Sequence, residues 1–255
     1  MCFDVDSQPP IAPIAGAAVE HQRLELTAGD GTRFAAFAAF AATPTGAGIV
    51  ILPDVRGLYH FYEELALRFA EAGVDAVAVD YFGRTAGVGQ RGDDFEYMPH
   101  VAQTTWAGVQ ADVASAAAWL RAERDVSALF TIGFCMGGRL SFDTATIGDL
   151  SLAGVIGLYG IVSGPGRNEA PAPLDVAASM TCPVLGLFGG ADTAIPADTI
   201  AAFDTALTGA GVEHTLHTYP GTPHSFFDRK FAEFATESAD AWDRVLRFVA
   251  TNTKR

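Results

Sequence analysis

Three residues stand in the chain order nucleophile, acid, base: Cys135, Asp192 and His224. Cys135 lies in the run Leu129-Phe130-Thr131-Ile132-Gly133-Phe134-Cys135-Met136-Gly137-Gly138, where an apolar strand passes directly into a G-x-C-x-G turn and then a helix. Such a turn strains the backbone of its central residue, so its flanking glycines stand where side chains would collide with neighbouring elements. A lone cysteine on an apolar strand is otherwise a core residue. The glycine frame and the strand-to-helix switch favour the raised nucleophile, beside the N–H groups and positive dipole end of the following helix. Asp192 ends Cys182-Pro183-Val184-Leu185-Gly186-Leu187-Phe188-Gly189-Gly190-Ala191-Asp192, a core strand closed by a glycine turn, although an aspartate here could also cap a helix starting near Pro196. His224 follows the alternating strand 214–218, on the loop where a base must sit; His214 and His217 lie within the strand and read as structural or surface residues. His21, His60 and His100 precede Cys135 and break the order.

The chemistry these types support is acyl transfer. His224 would accept the thiol proton, Asp192 would fix the imidazole tautomer, and Cys135 would attack an acyl carbon to give a thioester that water then hydrolyses. The tetrahedral oxyanion needs backbone donors, one from the N–H of Met136 and a second from the loop after strand 48–52, Pro53-Asp54-Val55-Arg56-Gly57.

The elements that must position these groups alternate along the chain. After an N-terminal segment to residue 18 that reads as flexible or surface-draped, stretches 23–27 and 33–41 form a hairpin around 28–32. Strands are predicted at 48–52, 74–79, 129–132, 152–158, 184–188 and 214–218, with helices at 61–72, 105–122, 136–146, 197–208 and near 238–250. Alternating βα order implies an α/β fold, a mainly parallel central sheet with helices on both faces, preceded by an antiparallel hairpin. Residues 161–180, with Gly164-Pro165-Gly166 and Ala170-Pro171-Ala172-Pro173, read as a loop within a single domain spanning 19–255.

From about Gly46 onward these motifs resemble the dienelactone hydrolases (carboxymethylenebutenolidases), a branch of the α/β-hydrolase superfamily with a cysteine nucleophile. The strongest elements are G-F-C-M-G-G around Cys135, G-G-A-D around Asp192 and P-H-S-F-F around His224; weaker ones are Pro53-Asp54-Val55-Arg56-Gly57, Asp80-Tyr81-Phe82-Gly83-Arg84 and Tyr159-Gly160. The resemblance implies that Val55 N–H is the second oxyanion donor and that Asp54 contacts the resting thiol, where the best-known members carry a glutamate one methylene longer. It also implies that Arg84 reads a substrate carboxylate and that Tyr159 lines the substrate site. The family's second carboxylate-binding arginine, four residues after the catalytic histidine, is here Asp228, with Arg229 next to it and Arg56 as another source of positive charge.

Composition bounds the alternatives. A chain of 255 residues, 49% hydrophobic with 18 phenylalanines, suffices for one large core. No run approaches the ~18 apolar residues of a membrane helix, and the first 20 residues lack the features of a signal peptide. Three cysteines, one needed as a thiol, point to a reducing, cytoplasmic setting. A net charge of −14 disfavours nucleic acid and anionic membranes as partners. No metal-ligand spacing or phosphate-cradling loop is present, so neither metal nor cofactor is expected. The expected activity is hydrolysis of an activated ester or lactone, carboxylated or neutral, by a monomer or small homo-oligomer. A general carboxylesterase or thioesterase, and a non-catalytic binding or redox-sensing homologue, stay open at this level.

Overall fold

A computed structural model describes residues 4, 6–14, 19–166 and 169–254. Strands β1 (Glu20–Thr27) and β2 (Arg33–Phe40) form an antiparallel hairpin. They are followed by β3 (Ala47–Leu52), α1 (His60–Glu71), β4 (Asp75–Val79), the short helices α2 (Gly83–Ala86) and α3 (Tyr97–Val101), and α4 (Trp106–Glu123). Next come β5 (Ala128–Phe134), α5 (Met136–Thr144), β6 (Leu152–Leu158), the one-turn α6 (Pro173–Val176), β7 (Val184–Gly189), α7 (Ala197–Ala210), β8 (His214–Tyr219) and α8 (Ala235–Thr253).

The strands form one eight-stranded sheet in the order β1-β2-β4-β3-β5-β6-β7-β8. Pairs β1/β2 and β2/β4 are antiparallel and all others parallel. This is the expected mainly parallel sheet with its hairpin, and the chain reverses its direction of winding between β3 and β5. In open α/β sheets the crevice at the carboxyl ends of such strands is where ligands bind. Alternate residues feed two apolar layers: Ile49, Ile51, Ala76, Ala78, Phe130 and Ile132 face one, and Val50, Leu52, Val77, Val79 and Leu129 the other. Helix α8 covers the first layer through Ala241, Val245 and Val249, four residues apart, and α4 covers the second through Val109, Val113, Ala116 and Leu120.

Three differences from the sequence reading have local causes. Helices α2, α3 and α6 span four or five residues, too few for a 3.6-residue period to show. The last helix begins at Ala235 rather than near 238, its first turn continuing a 3₁₀ turn at Ala232–Phe234. Residues 6–14, within the stretch read as flexible or surface-draped, are tied down: Gln8 N–H donates to Asp228 and Ile14 N–H to Glu71. Residues 1–3, 5 and 15–18 of that stretch lie outside the described residues.

Two buried features of β5 and α5 carry measurable consequences. A Cβ on Gly133 would lie 1.8 Å from the Gly137 carbonyl oxygen, so Gly133→Ala is expected to cost about 4 kcal/mol or more, seen as a collapsed urea midpoint or loss of soluble protein. Gly209→Ala in α7, where nothing lies within 4 Å of the new Cβ, should instead stabilise by up to about 1 kcal/mol. In α5, Asp143 is fully buried and neither carboxylate oxygen has a hydrogen-bond partner among the described residues. Burial pushes its carboxyl up to about 8, against the opposing pull of the Arg139 charge. The folded state therefore holds a proton that the unfolded state releases, and the associated stability is full below about pH 4 and lost as pH rises through the folded value. Thermal melts should show Tm falling toward pH 8, and Asp143→Asn should flatten that slope.

Candidate active site

Cys135 sits between the end of β5 and the start of α5 with φ 54° and ψ −112°, a left-side conformation that a side chain rarely adopts. Its strain is imposed by the glycines around it. A Cβ on Gly137 would stand 2.1 Å from the Leu52 carbonyl oxygen and 2.3 Å from that of Pro53, and one on Gly138 would stand 2.6 Å from the Leu158 oxygen. The first turn of α5 is thereby wedged between the ends of β3 and β6. Cys135 N–H is committed to Leu158 O at 3.0 Å, whereas Met136 opens α5 and its N–H is one of the first-turn donors that no helical carbonyl can reach.

The wedge brings α5 against the loop after β3. In that loop Asp54 is fully buried; its N–H donates to Tyr62 Oη at 2.9 Å and its Oδ1 accepts Arg56 N–H at 2.8 Å, a turn that leaves Val55 between two fixed neighbours. Tyr81 Oη donates to Pro53 O at 2.8 Å. Asp80, also fully buried, braces the loop from behind: Oδ1 accepts Leu58 N–H at 3.1 Å, and Oδ2 accepts Phe82 N–H at 3.1 Å and the Arg91 guanidinium at 2.8 Å. The Tyr159 phenol is held well above its ordinary pKa by burial, then by the charges of Asp54 and Cys135, and Tyr81 by burial, Asp54, Asp80 and Cys135. Asp54, Cys135 and two protonated phenols thus share one electrostatic neighbourhood. Sequence reasoning missed Tyr62, Tyr81 and the Asp80 brace; the one local signal was the aspartate opening Asp80-Tyr81-Phe82-Gly83.

On the opposite side, His224 Nδ1 and Asp192 Oδ2 are 2.5 Å apart. Close backbone packing sets this pair: a Cβ on Gly189 would meet Thr222 and Pro223 carbonyl oxygens at 2.6 Å, pressing the β7 turn onto the histidine loop. Asp192 Oδ1 also accepts Ala194 N–H at 2.9 Å. Burial alone would raise the Asp192 pKa, but the hydrogen bond and charge of His224, with the Ala194 N–H, hold it below the usual carboxylate value. The His224 ring lies 5.1 Å from that of Tyr159, itself buried with φ 41°. His214 is engaged elsewhere, with Val212 O at 2.7 Å and Asp204, and His217 packs on Tyr219. Burial pushes the Cys182 thiol up to about 12, which removes it as a competing nucleophile at neutral pH.

Arg84 and Arg229, from which a carboxylate clamp was expected, are both engaged with other parts of the protein. Arg84 Nη1 reaches both oxygens of Asp112 at 2.6 Å and Nη2 reaches Asp30 at 2.8 Å, tying α2 to α4 and to the hairpin turn. Burial lifts Asp112 to about 6 even against that pairing. Arg229 donates to Gln8 Oε1, Pro9 O and Ile11 O at 2.5, 3.1 and 3.2 Å. Asp228, at the family's second arginine position, is buried. Arg56, half-buried in the loop after β3, stacks its guanidinium over the rings of Tyr59 and Tyr97 at 5.0 and 5.8 Å. Among the described residues no helix is long and apolar enough to cross a membrane, and no group of three or more metal-ligating side chains is present.

The chain is similar to known proteins in sequence and in fold. A protein of Escherichia coli O157:H7 provisionally named a carboxymethylenebutenolidase is 28% identical over 208 residues, 78% of this chain and 75% of its own length. One of Methylorubrum extorquens, with the same provisional name, is 30% identical over 216 residues, 81% of this chain and 74% of its own length. The crystal structure of a provisionally assigned dienelactone hydrolase of Klebsiella pneumoniae superposes with a TM-score of 0.79 at 27% identity, covering 91% of this chain and 99% of that one. The family model for the dienelactone hydrolases matches residues 36–253, from β2 to the end of α8, and the chain belongs to that family.

Proposed function

We propose that the protein hydrolyses an activated ester or lactone through Cys135, with His224 as general base and Asp192 as its orienting acid. The observation that carries this reading is the 2.5 Å contact between His224 Nδ1 and Asp192 Oδ2. A carboxylate on Nδ1 fixes the tautomer whose Nε2 lone pair accepts a proton. In the first step the thiol proton passes to Nε2 while sulfur attacks the carbonyl carbon and the carbonyl electrons move to oxygen, held by Met136 and Val55 N–H groups. Collapse expels the alkoxide, which takes the proton from the imidazolium, and leaves the acyl thioester. Water, deprotonated by His224, then attacks that thioester; the acid departs and the thiolate is reprotonated. Asp54, buried beside this centre, acts on the nucleophile: its negative charge opposes a second anion and so favours the resting thiol until substrate binds.

The commitment of Arg84 and Arg229 to internal partners favours substrates whose recognition does not depend on a two-arginine clamp. Arg56 is assigned to any substrate carboxylate on its position next to the proposed donor Val55.

Cys135→Ala should abolish hydrolysis of aryl esters, and His224→Ala and Asp192→Asn should each lower kcat by about 10² or more, the histidine change at least as severely. Steady-state assays on the three variants check this; full turnover with Cys135 alkylated would refute it. With a matched pair of neutral and carboxylated esters, Arg56→Ala should lower kcat/KM for the carboxylated ester about tenfold or more and spare the neutral one. Arg84→Ala should leave that ratio unchanged and instead destabilise by about 3 kcal/mol, because it strands the buried Asp112 carboxylate.

A further inference from the structure

The loop that carries His224 is gripped from outside by the beginning of the chain. Gln8 N–H donates to Asp228 Oδ1 at 3.2 Å, and Arg229 N–H returns a bond to Gln8 O at 2.9 Å, so two hydrogen bonds join segments 220 residues apart. The Arg229 side chain then reaches along the segment to Gln8 Oε1, Pro9 O and Ile11 O. Lys230 Nζ pairs with Asp4 and with Asp6, the latter at 3.4 Å. Ser7 and Pro9 are buried by the contact, and Ile14 N–H ends it on Glu71 of α1 at 3.1 Å. Three consecutive loop residues, Asp228, Arg229 and Lys230, are therefore all engaged with residues 4–11.

From inside, Ser238 Oγ donates to Phe226 O at 3.2 Å, Phe226 packs against Tyr159 and Tyr219, and Phe227 packs against Phe134. Between the two grips lies Ser225, with φ 58°. A non-glycine residue in that region persists only where its surroundings over-determine it. Ser225 is the immediate neighbour of His224, so any relaxation of this strain moves the imidazole relative to Asp192.

We propose that residues 6–11 are a strap that positions His224: fastened by Asp228 and Arg229, they hold the histidine loop in the conformation that keeps Nδ1 on Asp192. Arg229 is accordingly a positioning residue, and the stretch that follows the catalytic histidine serves internal fastening where a substrate-binding arginine was expected. The inference rests on the triad reading above.

The test compares wild type with Arg229→Ala, Arg229→Lys and Gln8→Pro. The last deletes the N–H given to Asp228 and the Oε1 given to Arg229 while leaving both loop residues in place. Two readouts are taken: kcat and KM on a neutral aryl ester, normalised to alkylatable Cys135, and the downfield proton resonance of the hydrogen bond between His224 Nδ1 and Asp192. Arg229→Ala and Gln8→Pro should lose or broaden the resonance and lower kcat about tenfold with KM within about twofold. Arg229→Lys should recover part of both, since lysine can still donate to a strap carbonyl but lacks the planar fork. Wild-type kcat and an intact resonance in folded Arg229→Ala or Gln8→Pro would overturn the proposal, as would a loss confined to KM or proportional to the unfolded fraction. Should Arg229→Ala not fold, Gln8→Pro decides alone. A wild type that hydrolyses no ester, yet loses the resonance on either substitution, would sink the proposed reaction and leave the strap standing.

Discussion

Everything about the site depends on how closely the first turn of α5 approaches the ends of β3 and β6. With Leu52 and Pro53 carbonyl oxygens near 2 Å from where a Gly137 Cβ would be, and Leu158 O at 2.6 Å from that of Gly138, backbone packs on backbone without intervening side chains. That approach forces Cys135 to φ 54° and brings the helix start against the loop after β3. The strain costs on the order of 1–3 kcal/mol at such a residue, and the surrounding sheet, buried on both faces, supplies the rigidity that sustains it.

Buried aspartates provide the second level of support, each compensated differently. Asp80 has backbone N–H groups from Leu58 and Phe82 together with Arg91, and so binds the loop after β3 to the chain after β4. Asp112 has Arg84; Asp228 has the N–H groups of Gln8 and Lys230. Asp143 has no hydrogen bond among the described residues and is kept largely neutral by burial. A buried carboxylate without a partner changes its protonation instead of its position. Removing a partner from Asp80 or Asp112 would leave a charge stranded in low dielectric, which is why these pairs fix geometry more than they add net stability.

How much of this was legible follows from where each signal resides. The Cys135, Asp192 and His224 motifs are local: glycines and strand patterns within about ten residues show that the backbone must turn there, and chain order does the rest. The main helices and strands were legible because each spans enough residues for periodicity to emerge. The arginines were not. Arg84 sits where the family resemblance places a carboxylate reader, and Arg229 one residue beyond the second such position, but their partners, Asp112, Asp30, Gln8, Pro9 and Ile11, lie 28 to 221 residues away, and no local pattern encodes such pairing. The same holds for residues 6–14, whose Pro- and Ala-rich composition gives no hint of the loop that receives them.

Charge supply connects these observations. With 16 basic side chains against 30 acidic ones, each buried carboxylate competes for few cations. Arg84, Arg91 and Arg124 go to Asp112, Asp80 and Asp75, and Lys230 to the acidic start of the chain. In the loop after β3, Arg56 is held over two aromatic rings, a contact that restrains its guanidinium. In the reaction proposed above, a substrate carboxylate would meet Arg56 within a strongly anionic protein, where each cation counts toward the local potential. Discrimination between charged and neutral substrates would then rest on a single residue in the loop that also carries the proposed oxyanion donor, coupling recognition of a carboxylate to the position of Val55.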